Sequence, residues 1–105
     1  PSQNPEIYVF AIYMQKFSFW IIYRAEATIT IKAPDGLVVP NATVYIQWSG
    51  KTSGSSSGTT NASGQVTFNS GWAWGNGTFT ITVTNVTHAT LTYNSALNIE
   101  TSDSI

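Results

Sequence analysis

The amino-acid sequence predicts an all-β fold, namely an antiparallel sandwich of seven short strands that contains no disulfide. Apolar and polar residues alternate with a period of two along almost the whole chain, whereas the apolar spacing of an amphipathic helix is absent. Turn-forming residues recur at intervals of roughly ten residues, which is typical of short strands in an all-β domain. The 105 residues suffice for one hydrophobic core, so we expect a single domain over residues 1–105.

Composition restricts the classes of function before any motif is considered. Charged residues make up 9% of the chain, with four Lys and Arg against five Asp and Glu. This balance leaves no basic surface for nucleic acid and no polybasic segment for an anionic membrane surface. The chain has no cysteine and one histidine, so a disulfide is impossible, and neither a metal site nor a cofactor is expected.

Residues 6–24 form the one stretch that is apolar enough to suggest a membrane segment. Their apolar run is shorter than the ~20 residues that a membrane-spanning helix needs, and Gln15 and Lys16 interrupt it. A β-hairpin explains this interruption better than a helix does. We therefore expect no membrane insertion.

The first two strands are expected at residues 6–13 and 24–32, with the hairpin turn at residues 14–17. The second strand has the clearest alternation in the chain, and turn-forming residues at 34–36 end it. Its inward residues are Ala25, Ala27, Ile29 and Ile31. Polar residues occupy the positions between them, so one face of this strand is expected to contact water.

The third strand is expected at residues 42–48, with Val44, Ile46 and Trp48 on one face and Trp48 in the core. The Ser- and Gly-rich run at residues 51–60 has the composition of a flexible linker. Because this run is short and lies between two strands, we interpret it as a weak edge strand.

Three further strands are expected at residues 65–70, at residues 78–86 and from residue 89 onward. A tight turn at residues 61–64 precedes the first of them, and residues 71–77 form a loop. The inward residues of these strands are expected to be Val66, Phe68, Phe79, Ile81, Val83, Leu91 and Tyr93. Seven strands at this spacing are typical of an immunoglobulin-like sandwich.

Six segments carry a resemblance to a known family. They are residues 25–31 (AEATITI), 40–45 (PNATVY), 48–50 (WSG), 59–68 (TTNASGQVTF), 77–88 (GTFTITVTNVTH) and 97–105 (LNIETSDSI). From Arg24 onward the chain resembles the accessory immunoglobulin-like domains of secreted bacterial and archaeal proteins, subtilisin-like proteases among them. The resemblance implies a non-catalytic, extracellular module, and it transfers no functional residue.

Three stretches depart from that family. Residues 10–23 are aromatic and apolar where Gly, Ser, Lys and Asn are usual. Ile46 and Gln47 precede the strand tryptophan where small or polar residues are usual, and residues 72–76 read WAWGN where the loop is usually polar. These departures are candidates for a specialised surface.

The expected topology brings the three departures together. In a seven-strand immunoglobulin-like order, the first, third and fifth connections lie at one end of the sandwich. Those connections are residues 14–17, 49–51 and 71–77, and residues 46–47 approach the same end. The aromatic residues are therefore expected to converge at one pole.

Both faces of the first hairpin are apolar. Alternation counted back from Ile31 places Phe17, Phe19, Ile21 and Tyr23 inward and Ser18, Trp20 and Ile22 outward. In the first strand the expected inward residues are Ile7, Val9, Ala11 and Tyr13. An apolar face without a covering element indicates an interaction surface. The expected partner-binding residues are Phe17, Phe19, Trp20, Ile22, Ile46, Gln47, Trp72 and Trp74.

These observations favour a non-catalytic protein-binding module with an aromatic patch at one pole of the sandwich. An ordinary framework with three diversified segments is typical of an engineered or selected binder, which would be a recombinant protein. The partner is expected to be another protein, or a second copy that associates through the aromatic hairpin.

Two alternatives remain open at this point. One is a natural accessory domain of a secreted protein that serves as a spacer or adhesion module. The other is a carbohydrate-binding module in which Trp72 and Trp74 stack on sugar rings. An enzyme is not expected, because a Ser/His/Asp set would need His88 beside Asp35 in a turn or Asp103 in the tail.

Overall fold

The computed structural model describes residues 5–105, and the predicted domain also includes residues 1–4, which lie outside the described residues. Residues 5–105 form nine strands and one short 3₁₀ helix at Ser95–Leu97. The strands are β1 (Glu6–Phe19), β2 (Ile22–Lys32), β3 (Thr43–Gly50), β4 (Gly54–Thr59), β5 (Gln65–Asn69), β6 (Ala73–Trp74), β7 (Phe79–Thr87), β8 (Thr92–Tyr93) and β9 (Ser102–Ser104). The prediction of an all-β fold is confirmed.

The strands form two sheets that enclose one core. The first sheet has the order β5-β2-β1-β8, and β6 pairs with the free end of β2. The second sheet has the order β4-β3-β7-β9. Buried residues of β1 and β2 pack against buried residues of β3 and β7 in a single cluster. The arrangement is therefore a sandwich, as predicted.

The inward faces of the central strands follow the predicted alternation. The residues predicted to face inward that are buried are Ile7, Val9, Ala25, Ala27, Ile29, Ile31, Val44, Ile46, Trp48, Phe68, Phe79, Ile81 and Val83. Residues 54–59 form an edge strand, because β4 pairs only with β3. The interpretation of the Ser- and Gly-rich run as an edge strand is confirmed.

The predicted hairpin turn at residues 14–17 is wrong. Strand β1 continues to Phe19, β2 begins at Ile22, and the turn consists of Trp20 and Ile21. The two strands pair over their whole length, which leaves a two-residue connection. The turn lacks the Gly or Asn that usually marks such a connection. Alternation of apolar and polar residues therefore did not locate the turn.

Gln15 and Lys16 continue the strand because each finds a polar environment within it. Gln15 lies on the outer face, where its cross-strand neighbour is Glu26. The Lys16 side chain points inward, and its Nζ donates to Asn76 Oδ1 at 2.9 Å and to the Gly77 carbonyl at 2.8 Å. A polar pair in the sequence therefore does not end β1.

A β-bulge reverses the predicted facing of β1. The register with β2 shifts between Val9 and Ala11, so Phe10 is an extra residue in β1. Ala11 and Tyr13, predicted to face inward, therefore face outward, and Tyr13 is 63% exposed. Ile12 takes the core position and is 4% exposed. One inserted residue exchanges the two faces because side chains alternate with a period of two.

The C-terminal part also departs from the prediction of one antiparallel strand from residue 89. Strand β8 contains only two residues and pairs with β1 in parallel. Asn94 follows it and ends it, because its side chain caps the 3₁₀ helix by accepting from the Ala96 N–H. The sheet edge beside β7 is instead completed by β9.

The bulge can be tested by paired substitutions. Ile12→Ala should lower the free energy of unfolding by about 2–5 kcal/mol, because it leaves a cavity in the core. Tyr13→Ala should change it by less than about 1 kcal/mol, because the ring is exposed. Chemical denaturation of both variants measures this difference. Equal losses, or a larger loss for Tyr13→Ala, would contradict the bulged register.

Candidate functional site

The hairpin end carries a row of apolar side chains on the outer face of the first sheet. Phe19 pairs with Ile22, and Ile22 pairs with Trp74 of β6, so these side chains lie side by side on one face. Phe19 is 62% exposed and Trp74 is 73% exposed. Together with Trp20 and Ile21 of the turn they line an entirely apolar groove of about 370 Å³.

A second row lies next to the first and is organised by Arg24. Its cross-strand neighbour is Phe17, and its guanidinium carbon lies 4.3 Å from the Phe17 ring centroid and 5.5 Å from the Trp72 ring centroid. Arg24 also donates to Asn69 Oδ1 and lies 3.7 Å from Glu26 Oε2. The cation therefore bridges two aromatic rings while polar groups hold it in place.

We call the two rows together with the turn tryptophan the aromatic face. Its residues are Phe17, Phe19, Trp20, Ile22, Trp72 and Trp74. All six were singled out from the sequence, and the structure brings them together. Ile21 and Arg24 also belong to this site and were missed. If the turn had been predicted at Trp20 and Ile21, the strand register would have made Arg24 the cross-strand neighbour of Phe17.

The inner side of the same pole is closed by backbone contacts between three connections. The Gly75 N–H donates to the Ile21 carbonyl at 2.7 Å, and the Lys51 N–H donates to the Thr78 carbonyl at 2.9 Å. Ala73 points inward and packs against the core. Trp72 and Trp74 flank Ala73 in an extended segment, so both project outward.

Two predicted site residues lie elsewhere. Ile46 is 1% exposed and belongs to the core, so it cannot contact a partner. The alternation of β3 turns it inward together with Val44 and Trp48. Gln47 is exposed, but it lies on the outer side of the second sheet, between β4 and β7. It therefore faces away from the aromatic face.

Phe17, Phe19 and Ile21 correct the predicted facing of the hairpin end. All three were expected to point inward, yet Phe17 lies on the outer face against Arg24, and Phe19 and Ile21 are 62% and 59% exposed. Their facing was counted along a strand continuous with β2, whereas Phe19 ends β1 and Ile21 belongs to the turn. Tyr23 is the one residue of that inward set that packs against the core.

Trp20 has a backbone conformation that is unusual for its side chain. Its φ is 57°, in the left-handed region that favours glycine. A bulky residue there carries strain, and such strain concentrates at functional surfaces. The ring gains little from burial in return, because Trp20 is 86% exposed.

The ionisable side chains of residues 5–105 do not form a metal-binding cluster. No group of three His, Asp or Glu side chains in this part of the chain could hold a metal ion. His88 accepts from the Thr90 and Leu91 N–H groups through Nδ1, at 3.2 and 3.3 Å, and Nε2 lies 3.2 Å from the Pro40 carbonyl. Both ring nitrogens therefore contact backbone. Nowhere between residues 5 and 105 is a helix long and apolar enough to cross a membrane.

Comparison of the chain with protein-family models, curated proteins and solved structures finds no match. The aromatic face itself therefore carries the functional inference. It offers large apolar contact area, indole N–H donors and one guanidinium on a paired-strand support. Trp, Tyr and Arg are the side chains that contribute most to binding energy at protein interfaces.

The strain at Trp20 gives a stability prediction. Trp20→Gly should raise the free energy of unfolding by about 1 kcal/mol, because glycine adopts a positive φ without steric cost. Trp74→Gly is the matched control, since Trp74 has no positive φ and glycine weakens a strand by roughly 0.5–1 kcal/mol. Guanidinium denaturation compares the two variants. Equal destabilisation by both would contradict the strain at Trp20.

Proposed function

We propose that this chain is a non-catalytic protein-binding module that contacts its partner through the aromatic face. The observation that carries the proposal is the joint exposure of large apolar side chains from two separate segments, the hairpin end and residues 72–74. Phe19, Trp20 and Trp74 alone are 62%, 86% and 73% exposed. Monomeric soluble proteins rarely expose a contiguous apolar patch of more than a few hundred Å². Such a patch gains free energy when another protein surface covers it.

The construction of the face also favours binding. Its strand residues are held by the β1–β2 ladder and by β6, so little backbone entropy remains to be lost on association. Arg24 is already fixed between Phe17 and Trp72. Aromatic side chains have few rotatable bonds, which further lowers the entropic cost of ordering them in a complex.

The framework supports an immunoglobulin-like origin of the module. Without the two-residue strands β6 and β8, seven strands remain in the orders β5-β2-β1 and β4-β3-β7-β9. This division of strands between two sheets resembles the immunoglobulin-like pattern. It supports descent from an accessory domain of a secreted protein, with the hairpin end and residues 72–74 diversified in an engineered or selected binder.

The two alternatives, a spacer or adhesion domain and a carbohydrate-binding module, each predict features that differ from those of the aromatic face. A spacer domain would bury Trp20, Trp72 and Trp74, which are 86%, 49% and 73% exposed. A carbohydrate-binding module would place polar side chains beside the rings to bind sugar hydroxyls. Arg24, held by Asn69 and Glu26, does lie beside Trp72, whereas the groove beside Trp20 and Trp74 is lined by apolar residues alone. Both observations favour a protein partner.

The proposal is tested by the triple variant Trp20→Ala, Trp72→Ala, Trp74→Ala against a panel of purified extracellular proteins in a biosensor assay. The variant should stay folded, and its affinity for a protein that binds the native chain should fall more than about 100-fold. The matched control replaces Thr28, Thr30 and Thr67 by Ala on the polar part of the same sheet. It should bind as the native chain does.

Two outcomes would overturn the proposal. In one, the triple variant binds its partner as tightly as the native chain. In the other, the native chain and the threonine control variant bind insoluble cellulose or chitin, whereas the triple variant does not. The second outcome would assign the same rings to carbohydrate.

A further inference from the structure

Strand β1 has a hydrogen-bonding edge that is covered at one end and open at the other. Residues 98–100 cover the first part: the Val9 N–H donates to the Asn98 side chain and the Ile12 N–H to the Glu100 carboxylate, each at 2.8 Å. Beyond Ile12, no strand among residues 5–105 pairs with this side of β1.

The turn identifies the backbone groups that face the open edge. Phe19 and Ile22 flank a two-residue turn, so they form a hydrogen-bonded pair. Hydrogen-bonded and non-hydrogen-bonded pairs alternate along an antiparallel ladder. The N–H and C=O groups of Met14, Lys16 and Ser18 therefore point away from β2, toward the open edge.

The other long edge is protected in a way that this one is not. Strand β4 consists of Gly, Ser and Thr and carries no apolar side chain. At the other end of that sheet, β9 has three residues. Short or polar edges resist pairing with other chains, whereas a long apolar edge is a template for it. The open part of β1 is longer and carries Phe17 and Phe19 on its outer face. Its one charged side chain, Lys16, points inward and is already bound by Asn76 Oδ1 and the Gly77 carbonyl.

We propose that the open edge of β1 pairs with the same edge of a second copy of this chain, antiparallel and about a two-fold axis at Phe17. An edge that is free in one copy is free in the other, so the contact is self-complementary. Backbone pairing would satisfy the Lys16 and Ser18 groups of both copies.

Charge, steric exclusion and the number of backbone pairs favour this register. An axis at Ser18 would leave only the Ser18 pair, because Lys16 would then lie opposite Trp20 in the second copy's turn. An axis at Lys16 would place the two Lys16 side chains opposite each other, and like charges in that position are unfavourable. An axis at Gln15 would bring the second copy's turn against residues 98–100, which already cover β1. With the axis at Phe17, Lys16 faces Ser18 of the second copy, and the turn residues Trp20 and Ile21 lie opposite Met14 and Tyr13, before the covered part begins at Ile12.

This pairing shares Phe17 with the aromatic face but does not use its three tryptophans. It uses the backbone edge of β1, whereas the outer surfaces of Trp20, Trp72 and Trp74 stay accessible. The two Phe17 rings would meet at the axis, so the aromatic faces of both copies would form one continuous surface. The triple alanine variant described above should therefore still dimerise, and this result separates the two proposals.

Complementary charges at the axis provide the decisive experiment. In sedimentation equilibrium the native chain should show a concentration-dependent monomer–dimer equilibrium. Phe17→Lys and Phe17→Glu should each weaken dimerisation roughly tenfold or more, because each places like charges opposite each other. An equimolar mixture of the two variants should restore dimers, since only residue 17 faces itself in this register.

A second pair of variants tests the backbone contact. Ser18→Pro removes an edge N–H that bonds nothing within residues 5–105 and should abolish the dimer, whereas Ser18→Ala keeps that N–H and should dimerise as the native chain does. Circular dichroism checks the fold of each variant. The proposal is overturned if the native chain is monomeric up to millimolar concentration, if mixing fails to restore dimers, or if a folded Ser18→Pro dimerises normally.

Discussion

The rest of the structure depends on the uninterrupted pairing of β1 with β2. This ladder runs from Tyr8 opposite Lys32 to Phe19 opposite Ile22. Ala25 is the last fully buried residue of β2 toward the turn, so the final pairs extend about 10 Å beyond the core at ~3.3 Å per residue. Phe17, Phe19 and Ile22 on these pairs lie on the outer face, which the second sheet does not cover, and Trp20 and Ile21 lie beyond the core at the turn. Their exposure follows from the register of the ladder together with the length of the hairpin.

The closed inner side of the same pole explains why the exposed rings share one face. The connection between β5 and β7 passes beneath the hairpin, where Lys16, Lys51 and Gly77 meet. A Cβ at Gly77 would overlap the Lys51 side chain, so glycine lets this side chain lie directly on the connection. Because the connection is held inside by its polar and glycine residues, its two tryptophans face outward.

Much of the fold could be predicted from alternation. The inward residues of β2, β3 and β7 follow from the period of two, and the same rule applied strictly to β3 would have excluded Ile46 from the surface. The bulge at Phe10 could not be predicted, because no glycine or charge marks it. The turn at Trp20 and Ile21 was missed for a related reason. Trp20 occupies a position that normally requires glycine, so the sequence of the turn does not resemble that of a usual hairpin turn.

The errors in the bulge and the turn changed the predicted facing of individual strand residues, but they did not change the predicted position of the candidate site. Both the predicted turn and the observed one lie at the end of the sandwich where the third and fifth connections also lie, so the convergence of Trp20, Trp72 and Trp74 followed from topology. The facing of each ring depends on register, and register depends on local features such as the bulge. The place of the site could therefore be predicted, whereas the outward facing of Phe19 and the membership of Arg24 could not.

Iodide quenching of tryptophan fluorescence tests the central claim most directly, because the chain has four indoles and the structure exposes all but Trp48. In the monomeric native chain most of the emission should be quenched with the efficiency of free indole. A Trp20→Phe, Trp72→Phe, Trp74→Phe variant, which retains Trp48 alone, should emit at shorter wavelength and resist the quencher. Emission from the native chain that is as well shielded as that of this variant would contradict an exposed aromatic face.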